Sequence, residues 1–515
     1  MKAYVKNTLI LSICMLVSKM LGALYRIPLS NILGTEGIGL YQMVFPVYSL
    51  FLVAITGGMP TYVAQRISSF RAKGENERMR VLVKNCIFLS VLIAIVFCLI
   101  LIIFAKPLST LQGNSSAYLG YITVAISIIF SSITCVYKGY FQGMETMAYN
   151  ASATIIEQLC KLGFGLLGAI LLGKYGVIYA VAGAFLGVLL SELVTFVFMF
   201  ILYQKNKQRT SKVYIKGTYL KNIFKQFVPL GLSSIILPLS SCIDSFLVIN
   251  LLTYIGYEVF ESTSLFGIAT GMVSPFVNFP VLLFGTICTA FLPTLVSMLE
   301  KGEDTKDVVG GTYFFVWLFC VPCALGFIGI APNIITLFFP AIESAYIRLA
   351  VVYLQISAFN IIYLSIANIS YSILNSLGKF YLPLISQGVG FLIKTIMFVL
   401  LILFTNLGIL SLAIAVTCGD ALSCIIALLL TRKKIQIQLK IKNVLVPVFA
   451  SILMFICVIL ANKYLLLNEY IKIIIMVFIA LFVYFSICFV FRIISLKDIK
   501  DMFNKNKNVN KIKYE

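Results

Sequence analysis

Histidine is missing from this 515-residue chain, and charged residues make up only 11% of it. Without an imidazole, histidine-based acid–base catalysis and most zinc sites are excluded. The sequence therefore predicts no enzymatic active site, no metal site and no cofactor. Tryptophan occurs once, whereas apolar residues reach 61%, a share that soluble domains do not have. We expect a membrane protein.

Acidic residues are also scarce, since 19 Asp and Glu stand against 40 Lys and Arg. The loops and helix ends on one side of the predicted membrane carry 31 of the basic residues, with Lys138 counted among them. The loops on the other side carry only 5. The positive-inside rule then places both termini in the cytoplasm. We interpret the basic face as one that meets anionic inner-leaflet lipid and not nucleic acid, because no soluble basic domain is present.

Apolar runs of about 20 residues, long enough to cross a bilayer as a helix, recur along the whole chain. We predict an all-α polytopic membrane protein with fourteen transmembrane helices. The predicted spans are 8–29, 40–66, 83–105, 118–143, 149–172, 177–203, 223–252, 265–298, 306–330, 346–374, 380–404, 408–431, 443–462 and 470–494.

The chain repeats itself at a nearly constant offset. Lys161 and Lys394 lie mid-way in apolar segments 233 residues apart, and Pro60 and Pro293 end apolar segments at the same offset. Six helices per copy give both copies the same orientation, as in transporters built from parallel repeats. The predicted organisation is a six-helix lobe at 1–203, a linker at 204–222, a second six-helix lobe at 223–431, an added helix pair at 432–494 and a basic cytoplasmic tail at 495–515.

Two cations share one face of the first predicted helix. Lys19 and Arg26 are seven residues apart, which places them roughly 20° apart around the helix axis. Each costs about 2.5–3.5 kcal/mol at a helix centre, and no acid lies on that helix. We interpret the pair as the anion-facing wall of a cavity. The alternative is that Lys19 pairs with an acid on another helix and Arg26 extends to the outer interface.

Lysines also lie mid-membrane in the fifth and eleventh predicted helices. Lys161 follows Glu157 by four residues, a spacing that allows an internal salt bridge. Its repeat equivalent, Lys394, has no acid at that spacing, which favours a cavity role shared by both lysines. Asp244, alone in the seventh helix, is predicted to pair with a cavity lysine or to bind a coupling cation.

Carboxylates recur in the last predicted helix of each lobe. Glu192 and Asp420 are candidate proton or sodium sites, and an interhelical hydrogen bond or ion pair is the alternative for each. Near the inner end of the second helix, Gly57, Gly58 and Pro60 are predicted to form a hinge or close-packing site.

Three motifs near the start of the chain form a set. They are Ser18-Lys19 with Leu21-Gly22 and Arg26, then Gly34 with Glu36-Gly37 and Gly39-Leu40-Tyr41, then Gly58 with Pro60 and Val63-Ala64. This set resembles the opening of the stage V sporulation protein B family, within the multidrug/oligosaccharidyl-lipid/polysaccharide (MOP) exporter superfamily. The number and spacing of the spans are similar as well.

The resemblance implies a two-lobed exporter with a central cationic cavity in the bacterial cytoplasmic membrane. It implies a substrate of undecaprenyl pyrophosphate carrying sugars, first of all the peptidoglycan precursor lipid II, moved outward during spore cortex synthesis. Related lipid II flippases keep cations in the first helix, and Lys19 falls on one of those positions. This chain lacks the arginine that those flippases carry in the second helix.

We therefore predict a lipid-linked saccharide flippase that works by alternating access. The alternatives are a flippase for an O-antigen or teichoic-type precursor, and a cation-coupled multidrug exporter in which Asp244, Glu192 and Asp420 do the coupling. A membrane glycosyl- or acyltransferase is disfavoured, because the chain has no large outer loop and no histidine. The predicted partners are the lipid-linked substrate, anionic lipids, a coupling cation and the cell-wall synthesis machinery.

Overall fold

The computed structural model describes residues 2–207, 219–301, 303–340, 342–379, 381–438, 440–465 and 468–493. Some side chains inside these ranges, Lys19 among them, are not described. The predicted tail and most of the predicted linker lie outside the described residues.

Every regular element in these ranges is helical, and a 3-10 turn at Ser115–Ala117 and a π turn at Ile268–Val273 accompany the α-helices. In chain order the helices are α1 (Lys2–Thr56), α2 (Met59–Ala72), α3 (Asn76–Ile103), α4 (Ala105–Leu111), α5 (Tyr118–Ala125), α6 (Ser127–Gly143), α7 (Met147–Gly173), α8 (Val177–Asn206), α9 (Tyr219–Tyr254), α10 (Val259–Gly267), α11 (Ser274–Lys301), α12 (Lys306–Phe338), α13 (Ser344–Ser357), α14 (Asn360–Ser376), α15 (Tyr381–Phe404), α16 (Leu410–Arg432), α17 (Ile441–Tyr464) and α18 (Glu469–Val490).

Twelve stretches of the described chain are helical, long and apolar enough to cross a membrane. A thirteenth is formed if α5 and α6, which meet at 41°, make one broken span. The longest stretch, Met20–Ala72, contains Gly34 at φ 69° and ψ −174°. Glycine adopts this conformation without the steric penalty of a Cβ, so α1 is two helices joined at Gly34. The prediction of an all-α, multi-pass membrane fold is confirmed.

Several predicted spans are interrupted in the structure. The interrupted ones are 40–66, 118–143 and 346–374. In the first, α1 ends before Gly57 and Gly58, and Pro60 lies in the first turn of α2, where a proline removes no intrahelical hydrogen bond. Hydropathy does not detect such breaks, because a broken helix and a continuous one of the same sequence have the same composition.

Glycine contacts join the paired helices of each half of the chain. A Cβ on Gly168 of α7 would lie 2.3 Å from the carbonyl oxygen of Gly183 in α8. A Cβ on Gly390 of α15 would lie 2.7 Å from the carbonyl oxygen of Gly419 in α16. These pairs are the fifth and sixth helices of the two predicted repeats, so both halves use the close backbone approach that small residues allow in membranes.

Large apolar side chains cover the outside of the bundle. Leu400 is 50% exposed and Phe482 is 75% exposed, whereas Phe185 and Phe398 are buried in the core. An apolar surface of this kind suits contact with lipid.

The last two helices pack on α12. The indole Nε1 of Trp317 donates to the carbonyl oxygen of Val444 in α17 at 3.1 Å. The hydroxyl of Tyr484 in α18 donates to the carbonyl oxygen of Leu318 at 2.5 Å. The pair is therefore fastened to the second half of the chain.

The two halves of the chain also touch directly. A Cβ on Gly39 of α1 would lie 2.1 Å from the carbonyl oxygen of Thr263 in α10. At the other end of this interface, a Cβ on Gly58 would lie 2.2 Å from the carbonyl oxygen of Phe227 in α9. The candidate hinge residue Gly58 thus stands at a close backbone contact between the halves.

Candidate functional site

A cation of α1 sits beside the break at Gly34. Arg26 donates from Nη1 to Oε1 of Gln42 at 3.2 Å, and its guanidinium carbon lies 5.5 Å from the centre of the Phe45 ring. Because α1 turns at Gly34, the helix carrying Arg26 is brought back beside the helix carrying Gln42 and Phe45. An aromatic face attracts a cation, but it leaves the positive charge uncompensated.

A second cation shares the same ring. Lys161 of α7 places Nζ 5.3 Å from the centre of Phe45 and 5.9 Å from the centre of Tyr25. Among the described residues, no carboxylate lies within ion-pair distance of Arg26 or Lys161. We call Arg26 and Lys161 the Phe45 cation pair.

Glu157 is paired with a different lysine from the one its spacing favours. Its carboxylate lies 3.0 Å from Nζ of Lys138 in α6, and not beside Lys161. Lys138 lies near the end of α6, inside the predicted span 118–143, and compensates this part-buried acid.

Glu192 of α8 joins the same group. It is 9% exposed and interacts electrostatically with Glu157, Lys138 and Lys161. The first half of the chain therefore holds a group of two acids and three cations, of which Arg26 and Lys161 lie at Phe45.

The second half holds a tighter pair. Nζ of Lys394 in α15 lies 2.7 Å from Oδ2 of Asp244 in α9 and donates to Oγ of Ser240 at 2.7 Å. Lys394 is 7% exposed, and Asp420 of α16 interacts electrostatically with both Lys394 and Asp244. This half gathers one cation and two acids, so the charge balance of the two groups is opposite.

The structure brings the predicted residues into these two groups, with Lys19 outside the described side chains. Sequence reasoning missed Gln42, Phe45 and Ser240, which carry no charge and therefore stand out in no span.

Membrane-crossing helices that bring buried charges together at two places define an integral, multi-pass membrane protein with two polar groups inside its helical bundle. Solved structures share this fold. One titled "Lipid II flippase MurJ, inward closed conformation" matches over 94% of this chain and 98% of its own, with a TM-score of 0.74 and 16% identity. An inward-facing multidrug resistance MATE family transporter of the MOP superfamily matches over 83% and 98%, with a TM-score of 0.65 and 16% identity.

The chain belongs to the polysaccharide biosynthesis protein family, whose model matches residues 4–299. Stage V sporulation protein B of Bacillus subtilis (strain 168) is 24% identical over 460 residues, which span 86% of each chain. The resemblance seen in the opening motifs is thereby confirmed, and the chain is a multi-pass membrane protein of this family.

Proposed function

We propose that this chain flips an undecaprenyl-pyrophosphate-linked saccharide, lipid II first, from the inner to the outer leaflet by alternating access. The Phe45 cation pair carries the proposal, because two cations share one aromatic ring and, among the described residues, neither has a carboxylate within ion-pair distance. The names of the similar proteins, a lipid II flippase and a stage V sporulation protein, support it.

The chemistry of a pyrophosphate suits this pair. Each unpaired cation in a span costs about 2.5–3.5 kcal/mol by insertion scales, and a dianionic ligand would offset that cost. Arg26 uses one N–H on Gln42 and keeps other donors of its fork for phosphate oxygens, while Lys161 acts as a point charge. The polyprenyl tail can stay in lipid while the headgroup crosses about 30 Å of hydrocarbon.

We propose fourteen spans with both termini inside. A 53-residue stretch would be about 80 Å long as one helix, so Met20–Ala72 counts as two crossings divided at Gly34. Counting α5 with α6 as one crossing brings the total to fourteen. Contacts support the alternation, since predicted outer loops meet one another: Asn31 donates to the carbonyl oxygen of Phe338 at 2.8 Å, and Asn333 donates to Glu469 at 2.7 Å.

The two lobes are proposed at 1–203 and 223–431, with a linker at 204–222, the added helix pair at 432–494 and the tail at 495–515. Rocking of one lobe against the other would expose the Phe45 cation pair to each side in turn. Gly57, Gly58 and Pro60 are proposed as a hinge, because they break the helix where the lobes touch.

The other cavity residues take unequal parts in this proposal. The seven-residue spacing predicts that Lys19 shares a helix face with Arg26, and we propose that it extends the cationic wall. Lys394 is already compensated by Asp244, so we expect it to bind the anion more weakly than the Phe45 cation pair. Glu192 and Asp420 remain the proposed coupling carboxylates, with Asp244 available only when Lys394 moves away.

An inside-negative membrane potential would also favour outward movement of an anionic headgroup, by roughly 2.3 kcal/mol per charge per 100 mV. The cell-wall synthesis machinery is the proposed consumer of the flipped product.

Binding of lipid II to the purified chain in lipid nanodiscs tests the proposal, with undecaprenol as the ligand that lacks pyrophosphate. We expect Arg26→Ala and Lys161→Ala each to lose about 1.5–3 kcal/mol, which is roughly 10–150-fold in affinity. Lys174→Ala is the matched control, because Lys174 is an exposed lysine at the end of the same helix, α7. Equal binding of lipid II and undecaprenol by all four proteins would refute a pyrophosphate site.

A cation-coupled multidrug exporter is the second candidate, favoured by the buried acids of the Lys394 group and the shared fold with a multidrug transporter. Such an exporter should tolerate Arg26→Ala and fail with Asp420→Asn under an imposed proton or sodium gradient. A flippase for an O-antigen or teichoic-type precursor would bind its own lipid pyrophosphate more tightly than lipid II.

A further inference from the structure

A short segment between α4 and α5 joins the two halves of the chain at their outer end. Gln112 is fully buried, and its amide nitrogen donates to the carbonyl oxygen of Met43 at 2.9 Å and to Oγ of Ser245 in α9 at 2.8 Å. Its carbonyl oxygen accepts from the hydroxyl of Tyr121 at 2.6 Å. Both amide hydrogens and the oxygen are therefore used, and one of these bonds crosses between the halves.

Two neighbouring residues of the segment make further bonds across the same interface. Nδ2 of Asn250 in α9 donates to the carbonyl oxygen of Leu111 at 2.7 Å. Nδ2 of Asn114 donates to Oγ1 of Thr263 in α10 at 3.0 Å. Four consecutive residues, 111–114, thus hold three positions of the second half.

The segment is shaped to lie flat against α9. Gly113 has φ +96°, a left-handed conformation that favours glycine, and a Cβ there would come 2.8 Å from Cγ2 of Ile249. Beside it, the backbones of Gly39 and Thr263 are in direct contact. Opening the outer side of the transporter must separate all of these elements.

We infer that residues 111–114 form an outer latch that holds the outer side closed when no substrate is bound. The inference rests on the alternating access proposed above and not on the substrate. Each neutral hydrogen bond contributes about fivefold to the closed-to-open equilibrium, since its net value is about 1 kcal/mol. Three such bonds would bias the resting chain towards the closed outer side by roughly two orders of magnitude if they add.

Hydrogen exchange of the full chain tests the latch, in phosphatidylethanolamine/phosphatidylglycerol nanodiscs without substrate. We expect Gln112→Ala to raise exchange about fivefold in peptides from 35–43 and 259–268, and to leave the inner ends of α2 and α9 unchanged. Ser245→Ala should act in the same direction, and the double variant should open no further than the more open single variant, because both remove one bond.

Asparagine variants supply a matched comparison if a buried substitution prevents folding. Asn250→Ala removes an exposed cross-lobe bond, whereas Asn206→Ala removes an exposed bond within its own helix, from Nδ2 to the carbonyl oxygen of Leu202. Faster exchange at the outer end in Asn250→Ala alone supports the latch. Unchanged exchange, an equal effect of Asn206→Ala, or a rise spread over all helices would overturn it. Because the exchange experiment contains no substrate, its result does not depend on whether the chain binds lipid II.

Discussion

Breaking the ion pair of Lys394 and Asp244 by removing one partner should strongly destabilise the second half of the chain. Its nitrogen and oxygen are 2.7 Å apart, with side-chain exposures of 9% and 20%. Removing one partner of a buried pair costs about 3–5 kcal/mol, because the other charge stays buried and unpaired. Ser240 still accepts from the lysine, so for Asp244→Asn we expect the lower end, about 3 kcal/mol.

The free energy of unfolding can be measured by titration with sodium dodecyl sulfate in mixed micelles. The double variant Asp244→Leu/Lys394→Met should be more stable than Asp244→Asn, because it leaves no buried charge. Asp304→Asn is the control for an exposed pair, since Lys306 lies 3.7 Å from Asp304 at the surface, and it should change stability by no more than about 1 kcal/mol.

The reasoning would be refuted if Asp244→Asn were as stable as the Asp304→Asn control. It would also be refuted if the double variant lost the sum of the two single losses, since partners in direct contact do not act independently.

Two further predictions concern packing and charge in the first half. Gly58→Ala should disturb the contact between halves and lower transport in reconstituted vesicles, because its Cβ would meet backbone at 2.2 Å. Gly163→Ala is the control, because a Cβ there would meet open space. It should leave transport unchanged and stabilise α7 by about 0.5–1 kcal/mol. Equal loss of transport in the Gly58 and Gly163 variants would contradict the packing argument. Lys138→Met should lower the free energy of unfolding by about 3 kcal/mol. Adding Glu157→Gln to this variant should recover most of that loss. If stability does not recover, the 3.0 Å ion pair with Lys138 does not compensate the charge of Glu157.

Much of the fold could be predicted from hydropathy and the repeat, because a membrane span is recognised by its length and its apolar composition. The breaks at Gly57-Gly58 and Ile126 could not, since a helix and its broken counterpart have the same composition. The break at Gly34 coincides with a predicted loop, because Gly34 lies in the short segment between the predicted spans 8–29 and 40–66.

The candidate site was predictable in its charges and less so in its partners. Buried cations stand out in an apolar span, whereas Phe45 does not. The pairing of Glu157 with Lys138 depends on how α6 lies beside α7, and spacing along one helix contains no such information. The spacing rule for one helix therefore favoured Lys161, four residues away, whereas packing between helices supplies Lys138 as the partner of Glu157.

Among the described residues, hydrogen bonds join α17 and α18 to α12, so these two helices are attached to the second half of the chain. Their hydrogen bonds run to Trp317 and Leu318, both in the second half. If the two halves rock against each other as proposed, a fluorescent or spin label on α18 would move with the second half, and a second label on α3 would report the angle between the halves. Labels on the two added helices would thus report the proposed transport cycle without a substitution among the proposed substrate-binding residues.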